Sequence, residues 1–128
     1  MKRIRILLIE DNRLLREGIT TTLKGQADFM VVAASDGNHH SLLQVRKAKP
    51  DVILMDFGLR YQNGLRIVAS LTKVLPKIKV IGMGLIPAQS DIIECMEAGA
   101  SGFILKDATV GDFLTTIRSV ARGEKVLP

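Results

Sequence analysis

An α/β fold built on a five-stranded, doubly wound parallel sheet is predicted by three features of the chain. Apolar runs of strand length recur five times, helical patterns fill the gaps between them, and the first and third runs are continuous rather than alternating. Strict β-α alternation requires crossover connections, and therefore parallel strands with helices on both faces. Runs such as Ile6-Leu7-Leu8-Ile9 and Val52-Ile53-Leu54-Met55 are what strands buried on both faces need.

The strands are expected at Ile4 to Ile9, Phe29 to Ala34, Val52 to Met55, Val80 to Met83 and Phe103 to Leu105, each flanked by turn or charged residues. Leu14, Leu15, Ile19 and Leu23 share one face of a first helix, for which Asp11 or Asn12 is the natural cap. A helical pattern is expected in the gap between the second and third strands as well. Leu65, Val68, Ala69 and Leu71 to Leu75 mark a third helix, stopped by Pro76. Ile92, Ile93 and Met96 mark a fourth, closed by Gly99. In the last, Thr109 with Asp112 resembles a capping box, and Phe113, Ile117, Val120 and Ala121 keep helical spacing up to Gly123.

Composition narrows the class. A chain of 128 residues, 47% hydrophobic and 24% charged, describes one soluble globular domain able to bury a core without disulfides. Cys95 is the single cysteine, so a secreted disulfide scaffold is excluded and a reducing cytoplasm is the expected compartment. The first apolar run is cut at Glu10, too early for a signal peptide, and no stretch approaches the roughly 20 apolar residues of a membrane span. Eighteen basic against thirteen acidic side chains leave +5, but the cations are scattered. With no Trp and 4% aromatics, a base-stacking surface is not expected. Residues 1–123 read as one domain, and the closing Glu124-Lys125-Val126-Leu127-Pro128 as the start of a linker.

Ligands of open α/β sheets bind beyond the carboxyl ends of the strands, so the residues just after each strand carry the chemistry. These are Glu10 and Asp11, then Asp56, then Gly82 to Gly84, then Lys106 with Asp107. Glu10, Asp11 and Asp56 bring −3 and Lys106 +1, a net −2 in a crevice of reduced dielectric. One divalent cation neutralises that charge. Carboxylate and carbonyl oxygens suit Mg²⁺, which keeps positions open for phosphate oxygens. With a metal and Lys106 to draw off charge, Asp56 is placed to attack a phosphoryl group and become an acyl phosphate. A single acidic residue at a strand end is usually a helix cap or a solvated loop residue; four such groups at one edge carry more weight.

Across nearly its whole length the chain resembles a response-regulator receiver domain, the phosphoacceptor module of two-component signalling. The resemblance rests on Leu7-Leu-Ile-Glu-Asp-Asn12, Pro50-Asp-Val-Ile-Leu-Met-Asp56, Asn63-Gly-Leu65, Glu97-Ala-Gly-Ala-Ser-Gly-Phe-Ile-Leu-Lys-Asp107 and Gly123-Glu-Lys-Val-Leu-Pro128, and is strongest to the NarL/FixJ subfamily. It implies a flavodoxin-like (β/α)5 fold with strand order 2-1-3-4-5. It implies Asp56 as phosphoacceptor, Asp11 as a direct Mg²⁺ ligand, Glu10 acting largely through water, the Gly58 backbone carbonyl as a further ligand, and Lys106 against the phosphoryl oxygens. A histidine kinase is the implied donor, with slow self-hydrolysis, homodimerisation, and a LuxR-type helix-turn-helix domain as the output of a longer transcription factor. DNA is then met only through that domain.

Three positions depart from the pattern. Where the family carries a Ser or Thr that grips the phosphoryl group, this chain has Gly84. A hydrogen bond to a charged group is worth about 1.5–3 kcal/mol, so the missing hydroxyl weakens switching by roughly ten- to a hundredfold. The alternative to a phosphorylated receiver is therefore an interaction and dimerisation module that works without phosphate. The aromatic switch position is Phe103, without the phenolic hydroxyl of Tyr. Arg60 and Arg13 stand where Pro is common, and are expected to be solvated loop cations. An external phosphatase reading is disfavoured, because Gly58 stands where a haloacid-dehalogenase-type enzyme carries its acid/base Asp. A flavodoxin-type cofactor binder is disfavoured because Glu10-Asp11 repels a phosphate. Cys95 is expected as a buried thiol, and the adjacent His39 and His40 as a poor metal pair.

Overall fold

The computed structural model describes residues 2–37, 42–57, 64–84 and 89–128. Among these the elements run β1 (Ile4–Ile9), α1 (Arg13–Lys24), β2 (Phe29–Ser35), α2 (Leu42–Ala48), β3 (Val52–Asp56), α3 (Gly64–Val74), β4 (Lys79–Gly84), α4 (Gln89–Glu97), β5 (Gly102–Leu105) and α5 (Val110–Ala121). The strands are all parallel in the order β2-β1-β3-β4-β5, as anticipated. The order reverses direction between β1 and β3, which makes their carboxyl ends the expected ligand crevice.

Pleating divides the core into two layers. Ile6 and Leu8 of β1, with Leu54, Ile81, Ile117 and Val120, face the side covered by α1 and α5. Leu7 and Ile9, with Ile53, Met55, Val68 and Leu71, face the other. Alternate residues of one strand thus serve opposite layers, which is why β1 and β3 are apolar without interruption.

Several boundaries differ from the sequence reading. Strand β3 runs on through Asp56 and β4 through Gly84, so the site residues end strands rather than follow them. Between Ile6 and Leu7 the β1–β2 register slips by one: Ile6 pairs with Val31 and Leu7 with Ala33, leaving Val32 as an extra residue. On α1, Leu23 is fully buried, but Leu14 is 83% exposed and lines an open cleft of about 300 Å³ with Leu15, Val110 and Phe113. Its helical spacing aims it past the core toward α5. On α5 the buried set is Leu114, Ile117 and Val120, Leu114 having escaped the sequence reading.

The helix ends follow elementary capping chemistry. Asn12, not Asp11, caps α1, accepting the Leu15 N–H at 3.0 Å, and Thr109 caps α5 by accepting the Asp112 N–H at 3.0 Å. Basic residues occupy the last turns of α1 (Lys24), α2 (Arg46, Lys47), α3 (Lys73) and α5 (Arg118), where they oppose the partial negative charge of the helix C-termini. Lys2, Arg3, Lys77 and Lys79 gather around Asp51 at the same end, opposite the acidic crevice. The segment expected as a linker contacts the sheet edge. Val126 forms a parallel bridge with Gly102 and packs against the α5-side core.

Candidate phosphoacceptor and metal site

Three strands deliver the site. β1 ends at Ile9, and Glu10 follows with 0% exposure, its N–H donating to the Ser35 carbonyl at 2.9 Å. Burial of a carboxylate demands partners. Glu10 Oε2 accepts the Asn12 N–H at 3.1 Å, and Lys106 Nζ lies 2.7 Å from Oε1. The same ammonium reaches Asp56 Oδ1 at 3.1 Å. Asp56 is 6% exposed at the end of β3, and Lys106 is fixed at its backbone by donating its N–H to the Gly84 carbonyl at 2.8 Å.

Oxygen atoms of Glu10, Asp11 and Asp56 lie within 4.8 Å of one another. The structure therefore brings together Glu10, Asp11, Asp56 and Lys106. Gly58, Arg60 and the histidines 39 and 40 lie outside the described residues. Arg13 is a solvated cation, its side chain 84% exposed and paired with Glu17 at 2.9 Å on α1. Arg16 was not anticipated: its guanidinium donates to the Glu10 carbonyl at 2.8 Å and pins the loop that carries Glu10 and Asp11. The sequence signal was faint, a cation one turn into α1.

The electrostatics follow from burial. Desolvation pushes the Glu10 carboxyl above the ordinary glutamate value, and Asp56 adds to the push, while the bonds from Lys106 and the Asn12 N–H oppose it. For Lys106, burial works against the charged form, yet the hydrogen bond to Glu10 and the charge of Asp56 outweigh it, so its pKa is raised. Lys106 thus stays an ammonium. One cation cannot balance three clustered carboxylates, and an all-oxygen donor set of that size matches Mg²⁺ rather than a softer metal.

Gly84 closes β4 and is buried, its carbonyl spent on Lys106 and no hydroxyl offered. Phe103 on β5 is 2% exposed and points inward, its ring 5.9 Å from that of Phe57 at an interplanar angle of 67°. Cys95 is fully buried on α4, and burial raises its thiol pKa to about 11, leaving it protonated and inert.

A parallel five-unit α/β sheet with an acidic crevice at its switch point, and a lysine bridging two of the carboxylates, is the architecture of a signalling receiver domain. Comparison with known proteins makes the assignment: residues 6–118 match the response regulator receiver domain model, and the chain belongs to that family. It is 31% identical over 124 residues to the uncharacterized transcriptional regulatory protein YxjL of Bacillus subtilis, covering 97% of this chain and 57% of that protein. It is 31% identical over 121 residues to the transcriptional regulatory protein DegU of Brevibacillus brevis (94% and 51%). The response regulator VraR of Staphylococcus aureus is 29% identical over 123 residues, with 96% and 59% covered. The chain thus spans little more than half the length of these relatives, which are named as transcriptional regulatory and response regulator proteins.

Solved structures agree on the fold. The signal receiver domain of the putative response regulator NarL from Mycobacterium tuberculosis superposes with a TM-score of 0.89 at 23% identity, covering 97% of this chain and all of that one. The isolated receiver domain of RcsB from Salmonella enterica, determined with phosphomimetic BeF3−, gives 0.88 at 15% identity, with 99% and 94% covered.

Proposed function

We propose that Asp56 accepts a phosphoryl group and that the resulting acyl phosphate is the signal this domain carries. The observation that supports it is Lys106 bridging Glu10 and Asp56 beside a third carboxylate. An Asp56 carboxylate oxygen attacks the phosphorus of a phosphohistidine on a histidine kinase. The new O–P bond forms as the N–P bond breaks, and the departing imidazole nitrogen takes up a proton. Lys106 places positive charge where the transferring oxygens gather negative charge. Water later attacks the same phosphorus, releasing inorganic phosphate and restoring the carboxylate, so the domain turns itself off slowly and acts on no external substrate.

Glu10, Asp11 and Asp56, with the Gly58 carbonyl, are the residues that would hold Mg²⁺. When bound, the metal supplies charge neutralisation for the incoming phosphoryl oxygens. Asp11, the least buried of the three carboxylates, suits a direct ligand; fully buried Glu10, committed to Lys106 and the Asn12 N–H, suits an indirect one.

The wider reading extends the family resemblance to the whole protein. The domain works in the cytoplasm, receives its phosphoryl group from a histidine kinase, pairs with a second copy, and controls a helix-turn-helix domain that carries the DNA contact. Residues 124–128 begin the connection to that domain. Among the described residues no helix is long and apolar enough to cross a membrane. Incubation with Mg²⁺ and acetyl phosphate, followed by intact-mass measurement, tests the central claim. Gain of one phosphoryl mass by the wild type and none by Asp56→Asn is expected; no gain by the wild type removes the reading.

A further inference from the structure

The 18 cations are spread along the sequence, but the topology gathers many of them. In a parallel sheet every strand starts, and every crossover helix ends, at one pole. Lys2 and Arg3 precede β1, Lys49 precedes β3, Lys77 and Lys79 stand at the start of β4, and Lys125 adjoins Val126, which bridges to Gly102 where β5 begins. Lys24 ends α1 on the way to β2. Taken in the spatial order β2-β1-β3-β4-β5, these residues form a row along the whole sheet edge. Neighbouring strands are about 4.8 Å apart, so the row is about 20 Å long.

The acids of this pole are largely engaged. Asp28 is held by Arg118 and Glu124 by Arg122, at 2.8 and 3.0 Å, and Asp51 accepts the Arg5 N–H at 2.8 Å. Among the described residues, Lys2, Arg3, Lys49, Lys77, Lys79 and Lys125 form no ion pair, and all but Lys79 are exposed. Like charges gathered without counter-charge repel one another, and a bound anion relieves them.

The shape of the row selects the anion. Between Lys2, Arg3, Lys77 and Lys79 lies an open hollow of about 250 Å³, in which a small anion meets only part of the row. A linear polyanion meets all of it, and each strand of duplex DNA carries one phosphate per about 3.4 Å. A lipid surface fits less well, because binding there needs an apolar face and Val74 is the one large apolar side chain exposed at this pole among the described residues. Single strands fit less well because they need exposed rings to stack on, and Phe29 is 2% exposed beneath Arg118.

We propose that this edge binds the phosphate backbone of duplex DNA, independently of base sequence. The receiver domain itself then adds a contact to that of the DNA-reading domain in the longer protein. The contact uses neither Asp56 nor a metal, and it stands whether or not Asp56 is the phosphoacceptor.

Fluorescence anisotropy of a labelled duplex of arbitrary sequence, titrated with the 128-residue chain, tests the proposal. At about 50 mM salt a dissociation constant of about 100 µM or tighter is expected. The logarithm of the association constant is expected to fall with that of salt at a slope of about −3.6, the value for four contacts from Lys2, Arg3, Lys77 and Lys79. Lys77→Gln/Lys79→Gln is expected to weaken binding about tenfold or more and to bring the slope to about −1.8. Arg13→Gln/Arg66→Gln, of the same net charge but altered at the opposite pole, keeps the wild-type affinity and slope. No measurable binding at about 50 mM salt overturns the proposal. Equal weakening in the two double variants also overturns it, by assigning the attraction to net charge alone. Sedimentation with phosphatidylserine vesicles supplies the remaining arm: tighter binding to the vesicles than to the duplex reassigns the edge to a lipid surface and removes DNA as the partner.

Discussion

The Lys106 ammonium stands between two carboxylates, 2.7 Å from Glu10 and 3.1 Å from Asp56, with only 13% of its side chain exposed. Removing it leaves Glu10 fully buried against a second acid with no cation. Lys106→Met is expected to cost about 3 kcal/mol in urea denaturation, the scale for breaking one half of a buried pair. Loss of less than about 1 kcal/mol, the level of an exposed pair, shows that water already reaches the carboxylates.

Asp11 is one of three clustered carboxylates, and in the proposed site it is the direct Mg²⁺ ligand. Asp11→Asn is expected to raise the thermal midpoint without Mg²⁺ and to shrink the increase that Mg²⁺ produces. For the wild type, Mg²⁺ at a hundred times its dissociation constant is worth about 2.7 kcal/mol. Thermal melts with and without the ion check both directions, and an equal Mg²⁺ increment in the variant removes Asp11 from the ligand set.

Restoring a hydroxyl at the end of β4 is expected to tighten the grip on the phosphoryl group. Gly84→Ser adds one donor to a charged acceptor, worth about 1.5–3 kcal/mol, and so about ten- to a hundredfold in beryllofluoride affinity. Titration of the two proteins side by side measures the ratio. Equal affinities mean that the glycine carries no penalty.

Away from the crevice, Arg118 grips Asp28 at 2.8 and 3.0 Å, bonds Gln26, and lies 4.9 Å over the Phe29 ring. The hydrogen bond from Arg118 holds the Asp28 carboxyl below its ordinary value. A depressed carboxylate adds stability above the unfolded-state pKa of about 3.9, and that stability is lost as pH falls through the folded value. Both side chains are about one-third exposed, so the contribution is about 0.5–1 kcal/mol. Asp28→Asn is expected to flatten the acid limb of a urea-midpoint profile between neutral pH and about pH 3 while sparing the Arg118–Phe29 contact. An unchanged acid limb assigns the loss to other carboxylates.

Legibility in the sequence tracked the range of the interactions. β1 and β3 were readable because burial on both faces writes an unbroken apolar run, and the α5 start because Thr109 and its acceptor role are local. Glu10, Asp11, Asp56 and Lys106 could be grouped before any coordinates, since parallel topology sends every strand end to one edge. Leu14 misled because spacing identifies a helix face without saying what stands opposite. The extra Val32 and the Arg16 bond to the Glu10 carbonyl each depend on a neighbouring strand or loop that no window of sequence contains.

The basic last turns of four helices sit at the pole opposite the acidic crevice, and this makes the +5 domain an electric dipole as well as a cation. An anionic phosphodonor that comes within about a Debye length of the surface is drawn in by the net positive charge, yet the field turns the wrong face toward it. A partner that docks at the crevice must reorient the molecule. Raising salt weakens both the pull and the misorientation, so encounter rates with anionic donors depend on ionic strength less steeply than the net charge alone dictates.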